Sequence, residues 1–158
     1  MTRVELPISL EADGRFNEPS FHDAIVTGIE IVDRSTEYVA SSPVDIYIST
    51  EYPKESYRLA LLGTEVFNGF NLFTGNVIFD VQCINATTID AAPESWVYQQ
   101  LERLYSPQGR QWGPAVNDLS SYVDRIRTGE IVLVLLDPTF GFELAAICRE
   151  VKVVKITE

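Results

Sequence analysis

Histidine occurs once in this chain and cysteine twice, and 12 lysines and arginines stand against 23 acidic residues in 158. One imidazole excludes a phosphohydrolase metal centre built on a His-Asp pair, because such a centre needs further histidines. The shortage of cations, a formal net charge of −11, excludes a nucleic-acid surface, which requires a Lys/Arg stripe to displace phosphate counterions. Long apolar runs are missing too. The longest, Ile131 to Leu136, is far short of the ~20 residues a helix needs to cross a bilayer, so no membrane association is expected. The first residues, Met1-Thr2-Arg3-Val4-Glu5-Leu6-Pro7, lack the basic and apolar regions of a secretory signal, so a cytoplasmic location is expected.

Cys83 and Cys148 sit in apolar, strand-like segments with no metal-ligand spacing. They read as reduced core thiols, with a disulfide as the alternative. The Asn85-Ala86-Thr87 triplet reads as an incidental match to a glycosylation acceptor. There is no phosphate loop, dinucleotide fingerprint, calcium loop or nucleophile elbow, so no cofactor, metal or catalytic residue is assigned.

What the chain does hold is apolar and aromatic material, 46% and 11% of its residues, enough to fold as a single α+β domain over 1–158. Up to about residue 90 the period is that of strands. Val44, Ile46 and Ile48 fall on every second position, which sets them on one sheet face; Ile25, Ile29 and Ile31 do likewise, with Thr27 on the same face. Residues 57–62 and 77–84 continue the series, separated by the turn-rich Asn68-Gly69-Phe70-Asn71 and Thr74-Gly75-Asn76. Leu6, Ile8 and Leu10 predict an N-terminal edge strand. With no helix between them these strands are antiparallel.

From Pro93 the period becomes helical. Trp96, Val97, Gln100, Leu101, Leu104 and Tyr105 share one face, and Ser106-Pro107-Gln108-Gly109 stops that helix. Val116, Leu119, Tyr122, Val123 and Ile126 form a second helical stripe, ending at Thr128-Gly129 with Arg125 and Arg127 in the last turn, where cations oppose the carbonyl dipole. A strand apolar on both faces follows at 131–136. Asp137-Pro138-Thr139-Phe140-Gly141 then turns the chain into a strand over 142–156, where the alternation fails and a bulge near Arg149-Glu150 is expected. The predicted architecture is a mostly antiparallel sheet of six to eight strands. Its two helices, at about 93–105 and 115–128, are inserted before a C-terminal hairpin and packed against it.

His22, followed by Asp23, reads as a strand-initiating residue whose ring bonds a backbone carbonyl. The alternative is a small-ligand domain or hydrolase using His22 with a carboxylate. Trp112 is either a packing anchor or an interface residue. Charge is more informative than any motif. Residues 1–100 hold 15 acidic and 5 basic side chains, a net of −10, so the acidity belongs to the β half. It serves either solubility or recognition of a basic protein. For the second, the candidate partner-binding residues are Glu30, Asp33, Glu37, Asp45, Tyr47, Glu51, Tyr52 and Glu55, with Tyr57 beside them. A homodimeric scaffold pairing through an open sheet edge is a further alternative.

Phe21-His22-Asp23-Ala24 leading into Ile29-Glu30-Ile31, the segment Gly75-Asn76-Val77-Ile78-Phe79-Asp80-Val81, and Phe140-Gly141-Phe142-Glu143-Leu144-Ala145-Ala146-Ile147-Cys148 cover about a third of the chain. In these segments the chain resembles small bacterial immunity-type proteins encoded beside secreted polymorphic toxins. The resemblance implies an acidic α+β protein that neutralises a cognate toxin, often a nuclease with a basic active site, and leaves the His-Asp pair as a fold signature. The helical insertion from Trp96 to Gly129 departs from that pattern and leaves the toxin class open.

Overall fold

The structure, a computed structural model, describes residues 1–31, 42–70, 75–105 and 116–157. Its strands are β1 (Thr2–Leu6), β2 (Ser9–Leu10), β3 (Phe16–Glu18), β4 (Ile25–Ile31), β5 (Ser42–Glu51), β6 (Lys54–Thr64), β7 (Val66–Phe70), β8 (Asn76–Ile84), β9 (Val132–Phe140), β10 (Glu143–Cys148) and β11 (Glu150–Thr157). The helices are α1 (Glu94–Glu102) and α2 (Val116–Arg127). The fold is α+β with a mostly antiparallel sheet.

Nine strands form the main sheet, in the order β1-β11-β6-β5-β4-β8-β9-β10-β7, and β2 pairs with β3 in a small second sheet. One residue, Glu65, separates β6 from β7, and one, Arg149, separates β10 from β11. Each pair is therefore one continuous strand with a break, which makes seven continuous strands, within the expected six to eight. The breaks lie beside each other: Arg149 donates its N–H to Leu62 at 2.9 Å and Glu65 donates to Ile147 at 2.9 Å. Since β7 at one end of the order is the continuation of β6 in its middle, the sheet closes on itself as a barrel.

The alternation that predicted the strands fills this barrel. Val44, Ile46 and Ile48 from β5 meet Leu59 and Leu61 from β6, Leu144, Ala146 and Cys148 from β10, and Val134 and Leu136 from β9 in one buried cluster. A small antiparallel barrel has just enough interior for such side chains. Phe16 and Phe21, in the segment between β2 and β4, plug it, with ring centroids 5.6 Å apart, and Phe21 meets Tyr57 edge-on.

A second cluster lies outside the barrel wall. Val97, Leu101 and Leu104 from α1 and its C-terminal turn join Leu119, Val123 and Ile126 from α2. Both helices lie on Leu133, Leu135, Ala145 and Ile147, the outward side chains of β9 and β10, as the placement against the last hairpin predicted. Strand β9 is apolar on both faces because the barrel core takes one and the helices the other. Arg103, just past α1, fastens this layer through Asp137 and Glu143, both at 2.9 Å. At the end of α2 Gly129 donates to Ile126 and Glu130 to Arg125, both at 3.0 Å, a Schellman closure.

Three local expectations are corrected. The β4–β5 register shifts between Val26 and Gly28, so Thr27 is the extra residue of a bulge, and Val26 and Ile29 rather than Ile25 face the core. The segment Asn68-Gly69-Phe70 is strand, pairing with β10. Strand β9 runs on through Asp137 and Pro138 to Phe140, so the turn sits at Gly141-Phe142. Helix α1 ends at Glu102, and the predicted stop at 106–109 lies outside the described residues, as does Trp112. The expected irregularity at Arg149 is present: the inward set changes from Leu144, Ala146 and Cys148 to Val151 and Val153. Three steps from Ile147 to Glu150 answer four from Val66 to Leu62.

Candidate functional site

Helices cover the barrel on the side of β9 and β10, and the outward side chains of β4, β5 and β6 take no part in that helical cluster. This wall, which neither described helix covers, holds four of the eight residues singled out for partner binding. Glu30 faces Asp45 across the β4–β5 pair, and the Tyr47 hydroxyl donates to Glu30 Oε2 at 2.8 Å. That bond, with some burial, raises the Tyr47 phenol above its usual pKa. Glu51 ends β5 on the same side, two alternations, or about 13 Å, from Tyr47, and is exposed. No Lys or Arg among the described residues forms an ion pair with Glu30, and Glu51, though it makes no ion pair either, faces Lys54 across the β5–β6 hairpin.

Asp45 behaves differently. It is 6% exposed, and its Oδ2 lies 3.4 Å from Nη1 of Arg58 on the neighbouring strand. Arg58 Nε is buried with no hydrogen-bond partner among the described residues. A carboxylate held in this way balances an internal cation and is not presented to a partner.

Glu55 belongs to another surface altogether. It pairs with Thr50 across β5–β6, on the inward side of the barrel wall, where it takes hydrogen bonds from Lys155 and from the Tyr57 hydroxyl. The lysine bond, then the tyrosine bond, hold the Glu55 carboxyl below its ordinary pKa. Burial, reinforced by Glu55, pushes the Tyr57 phenol up to about 12. Tyr52, 94% exposed, stands at the tip of the β5–β6 hairpin. Asp33 and Glu37 lie outside the described residues. The candidate set thus separates into a wall pair with Glu51, a hairpin tip, and two internally paired carboxylates.

The structure adds residues that sequence reasoning missed. On the outer surface Ser49 pairs with Ile25, Ile25 with Val77, and Val77 with Phe140, a row running from β5 across β4 and β8 to β9. Phe140 is 60% exposed and Phe79, on β8, 51%. His22 lies beside them, its Nδ1 2.8 Å from the Phe79 carbonyl oxygen and its ring edge-on to Phe79 at 5.4 Å. The carbonyl contact expected of His22 is therefore made, and Asp23, at φ 61°, turns the chain into β4. Alternation alone sets Phe79 on the face of Val81 and Cys83, both core residues; the register shift between Ile78 and Asp80 turns it outward, which no local pattern shows.

Among the other groups considered for chemistry, Cys83 and Cys148 are free and buried. Burial pushes both thiols up to about 12, so neither is a thiolate at neutral pH. His22 Nε2 has a carboxylate oxygen, Asp23 Oδ2, at 3.7 Å. No group of three or more His, Cys, Asp or Glu among the described residues is placed to hold a metal ion. No described helix is long and apolar enough to cross a membrane.

No protein-family model matches the chain, and no curated protein or solved structure matches it.

Proposed function

We propose that this chain is a binding protein that captures a basic protein partner on the outer wall of β4, β5 and β6, and that its finer role is toxin neutralisation of the immunity type. The observation carrying this reading is the outer row from Ser49 to Phe140. With Phe79 beside it, it sets exposed Phe140 and half-buried Ile25 and Val77 on the same outer face as Glu30, which has no ion-pair partner among the described residues, and Glu51, which faces Lys54 across the hairpin. Exposed aromatic patches rimmed by charge are the usual anatomy of recognition surfaces, the aromatic anchors supplying affinity and the charged rim steering association. Most of the described cations are already occupied: Arg58 with Asp45, Arg103 with Asp137 and Glu143, Arg125 with Glu65 and Glu130, Lys152 with Glu5 and Glu150, and Lys155 with Glu55.

The test uses the purified chain as bait in lysate of its own host at low salt, beside two variants, Glu30→Gln/Glu51→Gln and Phe79→Ala/Phe140→Ala. The expected result is a basic protein that the wild type retains, that elutes as salt rises, and that both variants lose by roughly tenfold or more in affinity with unchanged melting. Expression of that partner alone should arrest growth, and co-expression of this chain should relieve the arrest. Retention indifferent to salt and to both variants refutes the wall. A retained partner that is harmless to cells refutes toxin neutralisation alone.

A further inference from the structure

Strand β1 closes the strand order at one end. It pairs with β11 along one side, from Thr2 with Thr157 to Leu6 with Val153, and no described strand is hydrogen-bonded to its other side. Thr2, Arg3, Val4 and Glu5 are all exposed, and Val4 is an aliphatic side chain at 48% exposure. Such an edge presents a row of unpaired N–H and C=O groups, a template for another strand.

The sequence of this edge selects its own copy. Arg3 and Glu5 point to the outer face, and Thr2, Val4 and Leu6 to the inner. An antiparallel pairing about a twofold axis through Val4 places Arg3 opposite Glu5 of the partner subunit, Glu5 opposite Arg3 of the partner subunit, and the two Val4 side chains against each other. Registers that keep the outer faces together move the axis by whole residues. An axis at Arg3 sets two arginines opposite each other, and one at Glu5 sets two glutamates. Like charges directly opposite are destabilising and opposite charges stabilising, so the Val4-centred register is favoured over both neighbours. The charges are also available. Arg3 has no ion-pair partner among the described residues of this acid-rich chain, and the Glu5 side chain stays 59% exposed while bonding Lys152 at 3.2 Å.

We propose that two copies of this chain associate by antiparallel β1–β1 pairing about Val4, extending the outer sheet across the molecular twofold. The occupant of the β1 edge is a second copy, because an isologous contact requires self-complementarity and this edge has it. The contact is small, so the dimer belongs to the weak class of interfaces below ~1,200 Å². It is separate from the partner-binding wall and stands or falls independently of it.

Sedimentation equilibrium across a wide concentration range tests it. The wild type should rise with concentration from the monomer mass of 17.7 kDa towards twice that value. Arg3→Glu alone and Glu5→Arg alone each set like charges opposite each other at both symmetry-related pairs and should weaken association by roughly tenfold or more. An equimolar mixture of the two single variants should recover a heterodimer, and the double variant Arg3→Glu/Glu5→Arg a homodimer, since both restore opposite charges. Those recoveries separate loss of pairing from loss of folding, which melting curves check in parallel. A wild type that stays monomeric to millimolar concentration, single variants that associate as the wild type does, or failure of both recoveries overturns the proposal.

Discussion

The turn between β9 and β10 offers the sharpest test of how this barrel is held. Asn76, 3% exposed at the start of β8, takes the backbone N–H of Phe142 on its Oδ1 at 3.1 Å, and Phe142 carries its ring into the barrel core. Beside them Gly141 has φ 92°, and a Cβ there would overlap Asn76 Oδ1. Asn76→Ala removes the acceptor and leaves a buried N–H unsatisfied, about 1–3 kcal/mol. Gly141→Ala adds positive-φ strain of roughly 1–2 kcal/mol, and its methyl displaces the Asn76 amide, so the same hydrogen bond is lost a second way. In the double variant that bond is lost only once and the overlap has gone. The two changes should therefore be less than additive by about 1–3 kcal/mol, whereas distant sites add within ~0.5 kcal/mol. Urea unfolding measures this as shifts of midpoint at constant slope, and a 2 kcal/mol loss lowers the melting temperature by about 4–8 °C. An additive cycle would refute the coupling between amide and glycine.

Two further predictions concern protonation. Arg125, through its hydrogen bond, holds the Glu65 carboxyl below the ordinary carboxylate range, in a pair whose side chains are 26% and 25% exposed. A depressed folded pKa contributes stability that is present above the unfolded value and lost as pH falls through the folded one. Glu65→Gln should therefore cost about 1 kcal/mol at neutral pH, and its gap from wild type should close as pH drops below 4.5; a gap that persists or widens in acid contradicts the assignment. Cys83 and Cys148, with thiols pushed up to about 12, should resist a thiol reagent such as dithionitrobenzoate at pH 8. Labelling should track global unfolding across a denaturant series, and labelling faster than unfolding would show that the barrel opens locally.

Short-range periodicity carried most of the fold. Val44, Ile46 and Ile48 point inward as their spacing requires, and Val97, Leu101, Val123 and Ile126 are the buried stripes of the two helices. What the sequence hid depends on contacts distant along the chain. Gly69 looked like turn chemistry, yet it lies in β7 because the Phe142 ring passes over it, with Cε2 2.6 Å from where a Cβ would stand. Closure into a barrel was invisible because it rests on β6 continuing into β7 beside β10 and β11, a pairing that no local window contains. The candidate site divided for the same reason. Asp45 and Glu55 are acidic strand residues like Glu51, and only the register that brings Arg58 to one and Lys155 to the other removes them from the exposed set.

The closed ring also orders events during synthesis. Strand β6 is made early, but its second neighbour, β11, lies some ninety residues further on, since Val151 pairs with Leu61. Strand β1, made before β6, waits for that same late strand. While the ribosome adds α1, α2 and β9, the β5–β6 hairpin holds one open edge with Leu59 and Leu61 uncovered, the kind of edge on which nascent chains aggregate. Arrival of β10 and β11 then covers the β6–β7 strand, shuts the core and gives β1 its place in one step. Emergence of β10 and β11, rather than growth of the early hairpin, is the moment at which this core becomes safe from its neighbours.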